Sequence, residues 1–539
     1  MGNKNNKYLV QGGLLAVSSI IVRLIGLLYR VPLQRIIGDG GMAFYSAAFE
    51  IYNLALILSS YSIPIAVSKL VSARERKKEY NNANKVFKAA MVLSVSVGGI
   101  ASLIIFIGAK FFAKMLGFES AYIPLRILAP TIFVFSIMGV LRGLFQGKNT
   151  MMPTAISQVF EQIVNAIVSI AAAYGLMKAH NASANIEAWG AAGGTTGTLC
   201  GAIAGLLFLV FIYMIYRPVM KKRLLKDEST HEESYADVFK VLIMTVVPII
   251  LSQTVYQLSG TVDSAMFGQI MQSKGYMENE YDFMYGIYSG KYRQLTNLPV
   301  ALATALGAAI VPALAATYLE RDMDNLRDKI ATSIKFNMLI SIPSAVGLGV
   351  LAKPILTLLF SGDTELSVQL LQLGCVAVVF FALSTLTNGI LQGIDKMHLP
   401  VIHSAISLAI HVVVLFLLLK VMDLGAYGLV IGNVTFALVV SMLNWISIAK
   451  YAHYKQEVLR TFILPTIASI LMGIVAYIVY HITHGIVHSN LLSILVTLPI
   501  AVAVYGILVI MLKAVTKQEL LEMPMGSKIV RFLKKFHIL

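Results

Sequence analysis

Charge is what this sequence is short of. Only 13% of its 539 residues are Asp, Glu, Lys or Arg, where an ordinary soluble domain carries about 25%. Half of the expected solvated surface is missing, which excludes a soluble enzyme, a disordered scaffold and a coiled coil. Cysteine is nearly absent as well. Cys200 and Cys375 sit far apart in apolar runs and support neither a disulfide framework nor a metal site. No Walker loop exists, because Gly147-Lys148 is followed by Asn149 and lacks the upstream glycine. An ATP-driven pump is excluded on that ground.

What the chain has instead is hydrophobic residues, 57% of the total. Windows of roughly 20 apolar residues, the length of one helical crossing, can be placed fourteen times. They are 8–36, 43–72, 86–110, 122–146, 153–178, 189–216, 240–271, 284–318, 330–352, 366–392, 400–420, 425–449, 462–484 and 489–512. The runs do not alternate with period two, which argues against a β-barrel. The first run is too long for a signal-peptide core and reads as a retained span. The expected fold class is all-α, a polytopic membrane protein with about 14 transmembrane helices.

The net charge of +16 is then read against the bilayer. With the N-terminus inside, cytoplasmic segments collect about 27 Lys and Arg and outside segments about 7. The clusters include Arg74-Glu75-Arg76-Lys77-Lys78 and Lys221-Lys222-Arg223. Both termini are expected in the cytoplasm, and the surplus is topology, with no nucleic acid as partner. The tail Ser527–Leu539 reads as a basic amphipathic helix lying on the inner leaflet among membrane lipids.

The chain also repeats itself. Arg142-Gly143-Leu144-Phe145-Gln146-Gly147 ends the fourth span, and Asn388-Gly389-Ile390-Leu391-Gln392-Gly393 ends the tenth, 246 residues later. Spans one to six and seven to twelve therefore read as two six-helix bundles. Six is even, so both enter the membrane the same way round, as parallel repeats related by a pseudo-two-fold axis along the membrane normal. The expected division is 1–225, 226–455, two extra C-terminal helices over 456–513, and the tail 514–539. Gly193, Gly197, Gly201 and Gly205 form a small-residue stripe for close packing. Pro64 and Pro312 are expected to bend spans two and eight. His403 and His411 share a helix face and read as polar packing, not metal ligands.

The opening Arg23-Leu24-Ile25-Gly26-Leu27-Leu28-Tyr29-Arg30-Val31-Pro32, followed by Gly40-Gly41-Met42-Ala43-Phe44-Tyr45, resembles the start of the stage V sporulation protein B and YtgP-type polysaccharide transporters. These belong to the multidrug/oligosaccharidyl-lipid/polysaccharide exporter superfamily. Leu298-Pro299, Ile310-Val311-Pro312 and the Gly-Leu-Phe-Gln-Gly segment fit it too. The resemblance implies a flippase for an undecaprenyl-pyrophosphate-linked sugar in the bacterial cytoplasmic membrane. Foremost is lipid II for peptidoglycan, as in MurJ-type flippases, with cell-wall synthesis proteins as possible partners. It also implies that the last two spans hold the polyprenyl tail, and that cavity arginines lie in the first, second and eighth spans. Arg23 and Arg30 fit the first and Arg293 the eighth. The second-span arginine has no counterpart, since Asn53 is followed by Leu54-Ala55-Leu56, which leaves a related lipid-linked oligosaccharide open.

A charge at membrane depth is costly unless it faces protein or water, so the intramembrane charges are the informative ones. Arg23 and Arg30 are seven apart and share a helix face; Lys291 and Arg293 open the eighth span. Guanidinium forks match the acceptor geometry of a pyrophosphate, so these four are the candidate substrate-binding residues, expected to line one cavity. Arg126 and Arg142 read as snorkelling at span ends. Glu50, Glu161 and Asp263 are candidates for gating or ion coupling, with plain salt-bridge partnership as the alternative. No cofactor is expected; the driving force would be a Na⁺ or H⁺ gradient or the membrane potential. The expected protein is a secondary-active, alternating-access flippase and not an enzyme. The alternative is a cation-coupled multidrug antiporter of the same superfamily, which would want an acidic cavity and normally has twelve spans.

Overall fold

The computed structural model describes residues 2–229, 232–362 and 365–516. The basic tail helix expected from residue 527 lies outside the described residues, as does the side chain of Pro312. All fourteen apolar windows fall on helices, and no strand occurs among the described residues. Ten of the described helices are long and apolar enough to cross a membrane, or eleven with one bent pair. The difference from fourteen has identifiable causes. The first of the ten, Ile21–Arg76, carries two windows, and the windows at 240–271 and 284–318 are not among those counted.

By packing, the chain divides into two compact units, 1–290 and 291–539. The first contains α1 (Gly2–Leu56), α2 (Ser62–Arg76), α3 (Tyr80–Leu116), α4 (Tyr122–Gly147), α5 (Met152–Ala179), α6 (Ile186–Leu224), α7 (Tyr235–Ser273) and α8 (Glu278–Gly286). A straight helix of α1's 55 residues would measure about 80 Å, far more than one crossing needs. Gly38 divides it, with φ 74° and ψ 179°, a backbone conformation open to glycine. Further on, Pro64 has no N–H for the carbonyl four residues back. The helix widens there into a π turn over Ile57–Tyr61.

Close glycine contacts seat these helices on one another. A Cβ on Gly143 would lie 2.9 Å from the Pro64 carbonyl oxygen, and one on Gly147 would lie 2.8 Å from Val71 Cβ, so the Gly-Leu-Phe-Gln-Gly motif is the seat of α2 on α4. The glycine stripe of α6 does the same for α5. A Cβ on Gly197 would overlap Ser169, and one on Gly201 would come within 2.6 Å of the Glu161 carbonyl oxygen. Outward, the helices present apolar side chains such as Ile107, 76% exposed, as a lipid-facing surface requires.

The second unit contains α9 (Arg293–Leu319), α10 (Met323–Val350), α11 (Ala352–Leu359), α12 (Glu365–Gly374), α13 (Ala377–Gly393), α14 (His398–Phe416), α15 (Ala426–Ala452), α16 (Leu464–Val487) and α17 (Asn490–Met511). Five pairings of the first unit recur here. α2·α4, α3·α4, α4·α6, α5·α6 and α2·α3 correspond to α9·α13, α10·α13, α13·α15, α14·α15 and α9·α10. The packing boundary at Gly290/Lys291 differs from the 225/226 division because α7 and α8 pack on α1, and α7 also on α2 and α3. α16 and α17 rest on α10 and α11, where Met472, Ala476 and Ala501 meet Val346, Val350 and Leu351.

The glycine stripe makes a testable statement. Gly197→Val forces a branched side chain into the α5 backbone and should cost about 1–3 kcal/mol, as overpacking does. Gly205→Ala, whose new Cβ meets its first atom at 3.3 Å, should be nearly neutral. Thermal unfolding of the two purified variants in detergent checks the contrast.

Candidate functional site

α1 carries Arg30 eight residues before its break, and the chain beyond the break brings Tyr45 and Phe49 back to it. The guanidinium carbon lies 5.8 Å from the Tyr45 ring centre and 6.0 Å from that of Phe49. The two rings are themselves 4.5 Å apart, and the Tyr45 hydroxyl is 2.9 Å from that of Tyr29. Aromatic faces attract a guanidinium without cancelling its charge. Among the described residues no carboxylate lies within ion-pair distance of Arg30. Arg23, one face-repeat earlier, is exposed.

Lys291 and Arg293 belong to the second unit. Lys291 is 1% exposed, and its ammonium donates to the Ser361 carbonyl at 3.2 Å. Its ammonium is buried, where sequence reasoning expected a residue lining the substrate cavity. Arg293 is half-buried at the start of α9. The four expected cations thus fall as two pairs in two units.

The three carboxylates go to three separate places. Glu161 accepts from Arg142 at 2.7 Å, and Arg142 also donates to Ser157 Oγ at 3.2 Å. The pair is largely buried, with side chains 11% and 17% exposed. Arg142 is therefore not snorkelling. It ties α4 to α5, because an acid one helix away is a better partner than a distant headgroup. Glu50 lies against Gly260 of α7 and receives Gln257 Nε2 at 3.4 Å. Asp263 accepts from the fully buried Tyr288 hydroxyl at 3.0 Å. Among the described residues no three His, Cys, Asp or Glu side chains gather as metal ligands. The histidines tie α14 to α15: His403 Nδ1 donates to Asn444 Oδ1 at 2.7 Å, and His411 Nδ1 to the Gly432 carbonyl at 2.9 Å.

One polar junction escaped the sequence reading. Near Gly38, Gln34 Nε2 donates to Asp39 Oδ1 at 2.8 Å, and the Glu187 carboxylate lies against Gly40. α8 approaches so closely that a Cβ on Gly286 would overlap the Asp39 carbonyl, and one on Gly290 would lie 2.5 Å from Gln34 Oε1. Asp282 is 2% exposed there, and its Oδ1 has no hydrogen-bond partner. Burial, then the neighbouring Glu278 and Glu187 carboxylates, push Asp282 up to about 9. The signal available in the sequence was the glycine density: Gly38-Asp39-Gly40-Gly41 facing Gly286 and Gly290 four residues apart.

The chain as a whole is similar to known proteins. The sequence pattern of the family described as polysaccharide biosynthesis protein matches residues 9–318, and that of the family described as MatE matches 292–417. The Bacillus subtilis (strain 168) protein named lipid II flippase MurJ is 27% identical over 478 residues, 86% of this chain and 87% of its own length. Stage V sporulation protein B of the same organism is 23% identical, covering 96% of this chain and 98% of its own. Among solved structures, an inward-closed lipid II flippase MurJ superimposes with a TM-score of 0.66 at 16% identity, covering 92% of this chain and 97% of that one. An inward-facing multidrug resistance MATE family transporter of the MOP superfamily also scores 0.66 at 16% identity, covering 80% and 98%.

Two outcomes follow from the carboxylates. Arg142→Gln leaves Glu161 buried and unpaired and should cost about 3 kcal/mol or more; adding Glu161→Gln should recover part of it, read as thermal midpoints of the single and double variants. Asp282 holds its proton at neutral pH, while in the unfolded chain it titrates near 4. Its contribution to stability is therefore full below pH of about 4 and is lost as pH rises toward 9. Asp282→Asn should flatten the decline of the thermal midpoint between pH 5 and about 9. Parallel curves for variant and parent would contradict the buried proton.

Proposed function

Because the chain belongs to the polysaccharide biosynthesis protein family, we propose that it flips an undecaprenyl-pyrophosphate-linked sugar, lipid II foremost, across the bacterial cytoplasmic membrane by alternating access. Both termini lie in the cytoplasm in this reading, with the basic loops held inside. The observation that carries it is Arg30: a guanidinium on two aromatic rings with no carboxylate partner among the described residues. A cation kept at depth without an acid is favoured when an anionic ligand completes it. A diphosphate supplies both the charge and the acceptor geometry. Arg23 and Arg293 are proposed as further anion contacts, and Lys291 as a cation that the Ser361 carbonyl holds in reserve. The polyprenyl tail stays in lipid or along α16 and α17.

Energy would come from a Na⁺ or H⁺ gradient or from the membrane potential. Glu50 and Asp263 are the carboxylates best placed to respond, since Glu161 is already paired to Arg142. Export of organic cations, the alternative that the MatE match also fits, would want an acidic cavity, whereas Arg30 supplies a cation.

Rescue of a strain depleted of its lipid II flippase tests the proposal. Arg30→Ala should abolish rescue at normal membrane levels of the protein, Arg23→Ala and Arg293→Ala should weaken it, and Arg142→Lys should retain it. Full rescue by Arg30→Ala would remove the anion site.

A further inference from the structure

At the end of α2 away from Gly38, a cleft of about 490 Å³ opens between α2 and α4. Its polar lining is Ser68, Lys69, Ser72 and Arg76 of α2 and Gln146 of α4, with Ile65 and Ala73 completing the wall and no carboxylate among them. Lys69, Ser72 and Arg76 follow a helical face. The Gly143 and Gly147 contacts that seat α4 on α2 carry Gln146, between them, to the same place. The duplicated Gly-Leu-Phe-Gln-Gly motif thus supplies a cleft residue as well as a packing seat.

Several cations at this end of the first unit are already paired. Arg74 pairs with Glu233 at 2.5 Å, Lys78 with Glu228 at 2.7 Å and Lys85 with Glu232 at 3.2 Å. Lys148 and Arg223 share Glu75. Each of these cations has taken an acid, most of them from the segment joining α6 to α7. The two that line the cleft have not. Arg76 reaches the Ser72 hydroxyl at 3.5 Å, and among the described residues neither it nor the exposed Lys69 has a carboxylate partner.

We propose that this cleft binds the phosphate group of a membrane lipid. Lys69 and Arg76 neutralise it, and the Ser68 and Ser72 hydroxyls and the Gln146 amide donate to the remaining oxygens. The cleft is separate from the Arg30 site. Phe49, on whose ring Arg30 lies, and Lys69 are 20 residues apart along one helical path, about 30 Å at helical rise, beyond the reach of one diphosphate. The same chemistry is offered by bulk anionic phospholipid and by a polyprenyl diphosphate carrier. In the second case the cleft is a second station for the substrate proposed above, and that extension rests on the flippase reading.

The test uses the purified full chain in neutral detergent, titrated with short-chain phosphatidylglycerol, farnesyl diphosphate and short-chain phosphatidylcholine. The parent should bind at least one of the two phosphate-bearing anions well ahead of phosphatidylcholine. Lys69→Gln/Arg76→Gln should weaken that binding roughly tenfold or more, and Ser72→Glu, which puts an acid into the cleft, should do likewise. Lys77→Gln, on the exposed neighbour outside the lining, should leave it unchanged. Preference for phosphatidylglycerol identifies a bulk-lipid site, and preference for farnesyl diphosphate a carrier station; both uphold the cleft. Equal binding by the double variant, an equal loss in Lys77→Gln, or equal affinity for phosphatidylcholine would overturn it. Arg30→Ala should keep the cleft's binding while losing rescue, which separates failure of this site from failure of the flippase reading.

Discussion

Hydrocarbon cannot solvate a charged side chain, so every ion at membrane depth must be matched by protein or by something the protein carries. This structure meets that demand in three ways. Arg142 is matched by Glu161 across two helices. Lys291 is matched by a backbone carbonyl. Arg30 lies against the Tyr45 and Phe49 rings, with no carboxylate within ion-pair distance among the described residues. The first two serve the fold; the third is the one on which the proposed anion site rests.

The duplicated positions show how the same slot can be filled with different chemistry. Arg142 and Ser157 of the first copy correspond, at the 246-residue offset, to Asn388 and His403 of the second. In the first unit the slot is closed by an ion pair and a serine. In the second it is closed by amide, imidazole and hydroxyl groups: Asn444 donates to Asn388 Oδ1 at 2.8 Å and receives His403, whose other ring nitrogen meets Ser447. Both solutions bind neighbouring helices through satisfied polar groups, which is the requirement for a polar side chain in a membrane interior. Only the first contains a carboxylate.

Glycine does the complementary work where backbones must touch. Gly143, Gly147, Gly197 and Gly201 remove the side chains that would hold α2 from α4 and α5 from α6. The same economy of volume at Gly38, Gly40 and Gly286 crowds Asp282 into a pocket with other carboxylates. Tight packing thus creates both the close helix seams of the first unit and a buried acid whose pKa is pushed up.

The residue order by itself determined the class of the molecule, its fourteen apolar windows, the repeat and the glycine stripe of α6. Each of these is a periodicity or a composition, and periodicity survives without knowledge of contacts. Arg30 stood out for the same reason, as a charge in an apolar run. Partnerships were not legible. Nothing local says that Arg142 turns to Glu161 nineteen residues on, that Lys291 is drawn inward to Ser361, that Asp282 is crowded by Glu187, or that Lys69 and Arg76 line one cleft without a carboxylate. Those outcomes depend on which helix faces meet. In a medium with almost no dielectric screening, the identity of the nearest neighbour decides whether a charge is a strut, a burden or a site.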